Sequence, residues 1–290
     1  MLDYHLHLWP HGQQAAAPTI DELTAYCERA AAAGVHEIAL TEHLFRFRQA
    51  DAVLRGFWDD DRAVGPEVRS GMAAYWDEHA HADLDEYVDV VLRAKRSGLP
   101  VVVGLEVDYY PDRMDKVAAL LDGYPFDVLL GSVHWIGAWG FDYFEHEVVA
   151  AEWDRRTTED VWAAYTRALE ELADSGVCDV LAHPDLCKLT GRVPAVPDEF
   201  YDRMAEAAAA SGMAVEVSSA GWRKPIGEAY PAPPLLARFR QRGVPVTTAS
   251  DAHGLSHVAD RADDLRALLS SAGYEKLASF RGRHRRLVAI

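Results

Sequence analysis

Cysteine is scarce in this 290-residue chain: Cys27, Cys178 and Cys187 are an odd set with no C-x-x-C spacing. That excludes a small disulfide-framed domain and leaves thiols as the expected state. No apolar run approaches the roughly 18–20 residues of a membrane span, and no basic stretch followed by an apolar one opens the chain. A cleaved leader would remove candidate functional residues that begin at His5, so a cytoplasmic protein is expected. Basic residues are the minority, 29 Lys and Arg against 46 Asp and Glu, giving a formal net charge of −17. A nucleic-acid surface needs clustered cations to neutralise phosphates, so nucleic acid is not an expected partner. The clearest basic cluster, Arg281, Arg283, Arg285 and Arg286, is expected to be solvated or anion-tolerant surface. The acidic balance looks equally unsuited to an anionic small molecule, unless bound cations reverse the sign locally.

The rest of the chain alternates strand and helix. Near-continuous apolar runs predict strands at residues 2–6, 37–41, 101–107, 128–132, 179–182, 214–218 and 246–249, with a further short strand at 287–290. Between them, periodic segments predict helices at 21–33, 84–97, 112–121, 158–174, 198–211, 233–242 and 260–272. Thr19 or Asp21 is the expected cap of the first helix, and Gly98 and Gly212 end two others. Such alternation builds either a barrel or a doubly wound sheet. No linker or repeat divides the chain, so a single domain over 1–290 is expected. Residues 44–83 break the rhythm and are a candidate lid or a helical cover over the barrel end.

Histidine and carboxylate decide between the two architectures. His5, His7, His11, His43, Glu106, His134, His183, Asp251 and His253 lie in six segments, at or just beyond the ends of predicted strands. A barrel brings all those ends to one mouth, whereas an open sheet spreads them across its width. The expected fold is therefore a (β/α)7-type, TIM-like barrel. Imidazole and carboxylate are ligands that Zn²⁺, Mn²⁺ and Fe²⁺ prefer. In Asp3-Tyr4-His5-Leu6-His7 the alternation of a strand sends both imidazoles to one face, and Asp251-Ala252-His253 repeats the spacing. Glu106 interrupts an apolar strand, where a carboxylate is costly unless paired or metal-bound. A second H-x-H, His79-Ala80-His81, sits in a polar stretch without companion acids and reads as surface.

The segments DYHLHLWPHG, LTEH, VGLEVDYYP, GSVHWIGAWGFD, AHPDLCK, EVSSAGWRKPIGEAYP and SDAHG resemble the polymerase-and-histidinol-phosphatase (PHP) family, more narrowly its histidinol-phosphate phosphatase branch. The likeness runs from residue 3 to about residue 260. It implies a distorted (β/α)7 barrel holding two to three divalent ions. His5, His7, Glu106 and Asp251 would hold the first, and Glu106 would bridge to a second on His134 and His183. His11, His43 and His253 would hold the third, and without His11 the site would be effectively dinuclear.

The resemblance implies hydrolysis of a small phosphate ester, L-histidinol phosphate first, by a hydroxide bridging two cations. Glu106, Asp251 and His253 are the candidate catalytic residues, with Asp251 or His253 supplying a proton to the departing alkoxide through water. Arg223 is the first choice for the phosphate, since a guanidinium grips two oxygens at once, followed by Lys188 and Lys224. Trp139, Phe141, Asp142 and Trp222 could flank an imidazole and receive a cationic amine. Other small phosphate esters or nucleotides are the alternative substrates. An amidohydrolase-like C–N hydrolase and a noncatalytic metal-binding module are the alternatives of other classes. Oligomeric state is not legible.

Overall fold

A computed structural model describes residues 1–10, 17–59, 61–143 and 146–290. Its strands are β1 (Leu2–Asp3), β2 (Glu37–Leu40), β3 (Val101–Asp108), β4 (Val128–Ser132), β5 (Trp135–Ile136), β6 (Trp139–Gly140), β7 (Val180–Leu181), β8 (Ala214–Ser218), β9 (Val246–Ala249), β10 (Lys276–Arg281) and β11 (His284–Ala289). Seven of these form one sheet in the order β1-β2-β3-β4-β7-β8-β9, and every pair in it is parallel. The two edges meet: Tyr4 N donates to Thr248 O at 2.9 Å, and His7 N to Ala252 O at 2.8 Å. The sheet is thus a nearly closed barrel, as the convergence of ligands predicts. β1 is shorter than the strand expected over 2–6, because beyond Asp3 the chain keeps only an isolated bridge, Leu6 to Ala252.

The helices are α1 (Ile20–Ala32), α2 (Arg48–Leu54), α3 (Pro66–His79), α4 (Leu84–Arg96), α5 (Met114–Leu121), α6 (Glu147–Glu152), α7 (Thr158–Asp174), α8 (Asp198–Ser211), α9 (Pro233–Gln241) and α10 (Ala262–Ser271). Thr19, not Asp21, caps α1 by accepting from Glu22 N. α8 ends at Gly212 in the left-handed region (φ 72°), where a Cβ would be strained. α4 buries Leu84, Tyr87, Val88, Val90, Val91 and Ala94 and leaves its charged positions to solvent, as an amphipathic barrel helix must. Among the described residues, no helix is long and apolar enough to cross a membrane.

Three features bear on the expectations. Residues 44–83 are mostly helical among those described, through α2, α3 and a turn at Leu44–Arg46, and their aromatic residues Phe45, Phe47, Trp58 and Trp76 join the core. His79 is buried rather than surface, stacked on Tyr75 at 4.1 Å with Nδ1 facing Tyr75 O, while His81 is exposed. The basic tail is part surface, with Arg285 and Arg286 exposed as expected, and part packed. β10 and β11 form a hairpin across the N-terminal ends of the barrel strands, burying Leu277, Ala278 and Phe280. There Arg281 pairs with Glu37 at the start of β2, Arg283 with Asp179 before β7, and Arg285 with Gly212 O before β8.

Candidate metal centre

Every parallel strand ends at the opposite face, and those ends meet on Glu106. β3 brings its carboxylate to the middle of the barrel mouth, fully buried. Its Oε2 lies 3.3 Å from His5 Nε2, 3.5 Å from His7 Nε2 and 2.7 Å from His43 Nδ1. Its Oε1 lies 3.0 Å from His183 Nε2 and 3.5 Å from His134 Nε2. Asp251 Oδ1 closes the ring, 3.6 Å from His7 Nε2 and 3.5 Å from His253 Nδ1. His253 Nε2 is 3.4 Å from His43 Nε2, and the His7 ring stacks between those of His43 and His253 at 4.1 Å each. Eight of the nine expected ligands therefore form one cluster; the ninth, His11, lies outside the described residues.

The donor set fits divalent cations. Three-residue groups with ligand atoms mutually within 4.8 Å include His5–His7–Asp251, His5–Glu106–His183 and His7–His43–His253. Glu106 Oε2 and the Nε2 atoms of His5 and His7 are buried with no hydrogen-bond partner. Buried polar atoms left unpaired are expensive, and imidazole–carboxylate clusters of this kind are satisfied by cations. Burial opposes ionisation of Glu106, but the imidazoles of His5, His43 and His134 hold its carboxyl well below the usual range. Burial, followed by the neighbouring His253 and His43, keeps His7 well below its ordinary pKa and so neutral, the form that ligates. The backbone is strained at two of these positions: His183 (φ 25°) and Asp251 (φ 51°) are non-glycine residues in the left-handed region. Such strain, about 1–3 kcal/mol each, persists where surroundings over-determine it and clusters at functional sites.

A second layer of carboxylates orients the imidazoles. Glu216 Oε2 is 2.8 Å from His5 Nδ1, and Asp108 Oδ1 is 2.6 Å from His134 Nδ1. Glu42 accepts from Leu8 N and Trp9 N and faces His7 Nδ1 at 3.6 Å, anchored by Arg46. Asp3 accepts from Ser250 N, Ser250 Oγ and Ala259 N, tying the first strand to the loop that carries Asp251; burial, partly offset by those bonds, pushes its carboxyl up to about 6.

Above the cluster opens a cavity of about 790 Å³, counting the solvent at its mouth. Glu106, His134, His183, Asp251 and His253 line its floor, while Val68, Met72, Tyr75 and Trp135 supply much of an apolar wall. Asp142, Lys224 and Tyr230 also face it, and Lys224 is the one Lys or Arg among the described lining residues. The other candidate substrate contacts are not among the residues that line the cavity. Arg223 does not line the cavity: its guanidinium donates to Asp260 Oδ2 (2.9 Å), Ser250 O (2.7 Å) and Asp251 O (3.1 Å), so it braces the Asp251 loop. Lys188 is fully buried beneath the floor, paired with Asp185 and Glu228. Trp139 is buried behind the wall, its Nε1 donating to Val149 O and its ring packed edge-on to Trp153. Phe141 is likewise buried, and the Trp222 ring carries Arg261 at 4.1 Å outside the cavity.

Comparison with known proteins agrees with this geometry. The PHP domain family matches residues 3–220. The chain belongs to that family. It is 32% identical over 265 residues, 91% of this chain and 90% of the other, to a Deinococcus radiodurans protein named "Probable histidinol-phosphatase". It is 26% identical over 275 residues, 87% of this chain and 92% of the other, to the histidinol-phosphatase of Bacillus subtilis. A crystal structure of histidinol phosphate phosphatase from Lactococcus lactis, complexed with zinc, L-histidinol and phosphate, shares the fold: TM-score 0.68 at 20% identity, covering 98% of each chain. The PHP match stops before Asp251 and His253, which the geometry joins to the cluster. Glu216, Asp108, Glu42 and Asp3 are the carboxylates packed against the cluster and its loops that the sequence reading passed over. A signal for Glu216 was present, since it interrupts Ala214–Ser218 as Glu106 interrupts its own strand.

Proposed function

We propose that this chain is a metal-dependent phosphomonoesterase that hydrolyses L-histidinol phosphate to L-histidinol and phosphate. The observation that carries the reading is Glu106, whose two oxygens face five imidazoles on the floor of an aromatic-walled cavity. Kinship at 32% identity across nine-tenths of both chains supports the substrate.

His5, His7, Glu106 and Asp251 would hold one cation, and Glu106 with His134 and His183 a second. His43 and His253 would contribute to a third, completed by His11. Zn²⁺, Mn²⁺ or Fe²⁺ suits these ligands and supplies a water-derived nucleophile at neutral pH together with neutralisation of phosphoryl charge. Lys224 then takes the place expected of Arg223, meeting the phosphate at the cavity edge. Asp142 receives the cationic amine, and Trp135 and Tyr75 enclose the imidazole and exclude water. Asp251 and His253, 3.5 Å apart at the floor, are the groups that pass a proton through water to the departing alkoxide. The three buried free thiols fit a cytoplasmic setting.

The test is phosphate release from histidinol phosphate, a nucleoside monophosphate and a generic aryl phosphate, each with Mn²⁺, Zn²⁺ or Fe²⁺. Histidinol phosphate should give the highest kcat/KM with at least one metal. No release from any ester in fully metal-loaded protein would reject the reading.

A further inference from the structure

Tyr230 is a cavity residue whose chemistry the cation cluster does not use. Its side chain is fully buried and lines the cavity beside His183, Lys224 and Asp251, yet its hydroxyl has no hydrogen-bond partner. Leaving a buried hydroxyl unpaired is costly. Such groups in native structures call for an explanation, and a missing ligand is one.

The surroundings hold the ring still. Tyr230 N donates to Ser218 O at 3.1 Å and Ser218 N to Tyr230 O at 2.6 Å, fastening the residue to the end of β8. Lys188 Nζ lies 5.3 Å from the ring centroid, itself fixed by Asp185, Glu228 and the carbonyl of Ala229. Asp185 Oδ2 accepts from Ala232 N at 2.7 Å, which secures the far side of the same turn. A Cβ at Gly221 would come within 2.1 Å of Glu228 O and 3.2 Å of Tyr230 Cε2, so only glycine lets this turn close over the floor. The ring also meets His183 edge-on, 6.3 Å between centroids. Backbone, cation and packing all restrain the phenol, and only its oxygen is unmatched. That is the preorganisation expected of a ligand contact.

The chemistry of the contact follows from the neighbours. A phenol is protonated at neutral pH, so the unmatched hydroxyl is available as a donor. An acceptor beside the cation ligands His183 and Asp251 is an oxygen drawn to that floor by opposite charge. On the phosphomonoesterase reading, on which this inference rests, we infer that Tyr230 donates a hydrogen bond from its hydroxyl to a phosphoryl oxygen of the substrate. Tyr230 and Lys224 then share the phosphate on one side, while α3 and the β5–β6 hairpin face the organic portion.

Tyr230→Phe removes the oxygen and keeps the ring. In the metal-loaded full chain, four quantities decide the matter: the Kd of inorganic phosphate by calorimetry, kcat/KM for histidinol phosphate, bound metal, and Tm. The expected result is about tenfold weaker phosphate binding, as for one lost hydrogen bond to a charged group. A similar fall in kcat/KM should accompany it, with metal content unchanged. Tm should hold or rise, because the deleted hydroxyl satisfies nothing in the protein. Unchanged phosphate affinity would overturn the inference, whether or not Tm falls. Should wild-type protein bind phosphate but not hydrolyse histidinol phosphate, the substrate reading fails, and the phosphate Kd of the variant still decides the role of Tyr230.

Discussion

Replacing Glu216 with Gln should weaken the metal centre while leaving the barrel folded. Glu216 Oε2 sits 2.8 Å from His5 Nδ1, and Oε1 accepts from His183 N at 3.4 Å, so one carboxylate orients candidate ligands that follow β1 and β7. Gln has the same shape, but its amide offers one acceptor and one donor, so one contact becomes donor against donor. The remaining one loses the charge assistance that roughly doubles such bonds. Outer carboxylates on ligating imidazoles are worth about 10–100-fold in metal affinity, or about 1.4–2.8 kcal/mol. The assay is a titration of metal-stripped protein against a chromophoric chelator, with bound metal counted at saturation. An affinity equal to wild type would refute the orienting role. Loss of a whole equivalent at saturation would make Glu216 itself a ligand.

Glu106→Gln should lower phosphate release by about 10³-fold or more, since a neutral bridge forfeits several kcal/mol of charge stabilisation; undiminished turnover would disprove the central position of Glu106. Lys224→Met should raise KM for the ester by about tenfold, the worth of one charge-assisted contact, and an unchanged KM would remove it from the phosphate. Arg223→Met should lower Tm through the loss of its bonds to Ser250 O and Asp251 O, with KM little changed; a selective rise in KM would restore the guanidinium to the phosphate. Stripping the metal should leave a pH-sensitive protein. Burial opposes protonation of His134, but Asp108 and Glu106 raise it to about 10 from an ordinary 6.5, so its contribution to metal-free stability is complete below about 6.5 and lost as pH rises through 10. Thermal scans of chelated protein from neutral to alkaline pH should show that loss, and a flat profile would contradict the assignment.

The barrel was legible because parallel strands buried on both faces read as apolar runs, and because the expected strands from 37–41 through 246–249 match the observed ones to within about two residues. The ligands were legible because a carboxylate or imidazole at the end of such a run has no cheap alternative. The substrate side was harder. β5 and β6 are two residues each, too short to show a period, so the hairpin that hides Trp139 and exposes Asp142 could not be read. Arg223 and Lys188 follow strand ends as phosphate contacts would, but their fates depend on Asp260, Asp185 and Glu228, which are distant in sequence or generic in type. The tail was only partly legible for the same reason: Arg281 and Arg283 look solvated until Glu37 and Asp179, at the N-terminal ends of the strands, are placed opposite them.

The two ends of the barrel treat negative charge differently, and this reconciles a net charge of −17 with an anionic substrate. At the N-terminal end, buried or half-buried acids meet Lys or Arg: Glu37 with Arg281, Asp127 with Lys95, Asp179 with Arg283. At the C-terminal end, Glu106, Asp108, Glu216 and Asp251 face histidines instead. Permanent cations there would neutralise the acids, satisfy the Glu106 oxygen and leave no reason for metal to bind. Histidine, which gives up its proton when a cation arrives, keeps the acids available. Around Glu106 the negative charge is thus met by histidine, while Arg46, Lys188 and Arg223 at the same end are held by Glu42, Asp185 and Asp260; bound cations would reverse the sign of that floor.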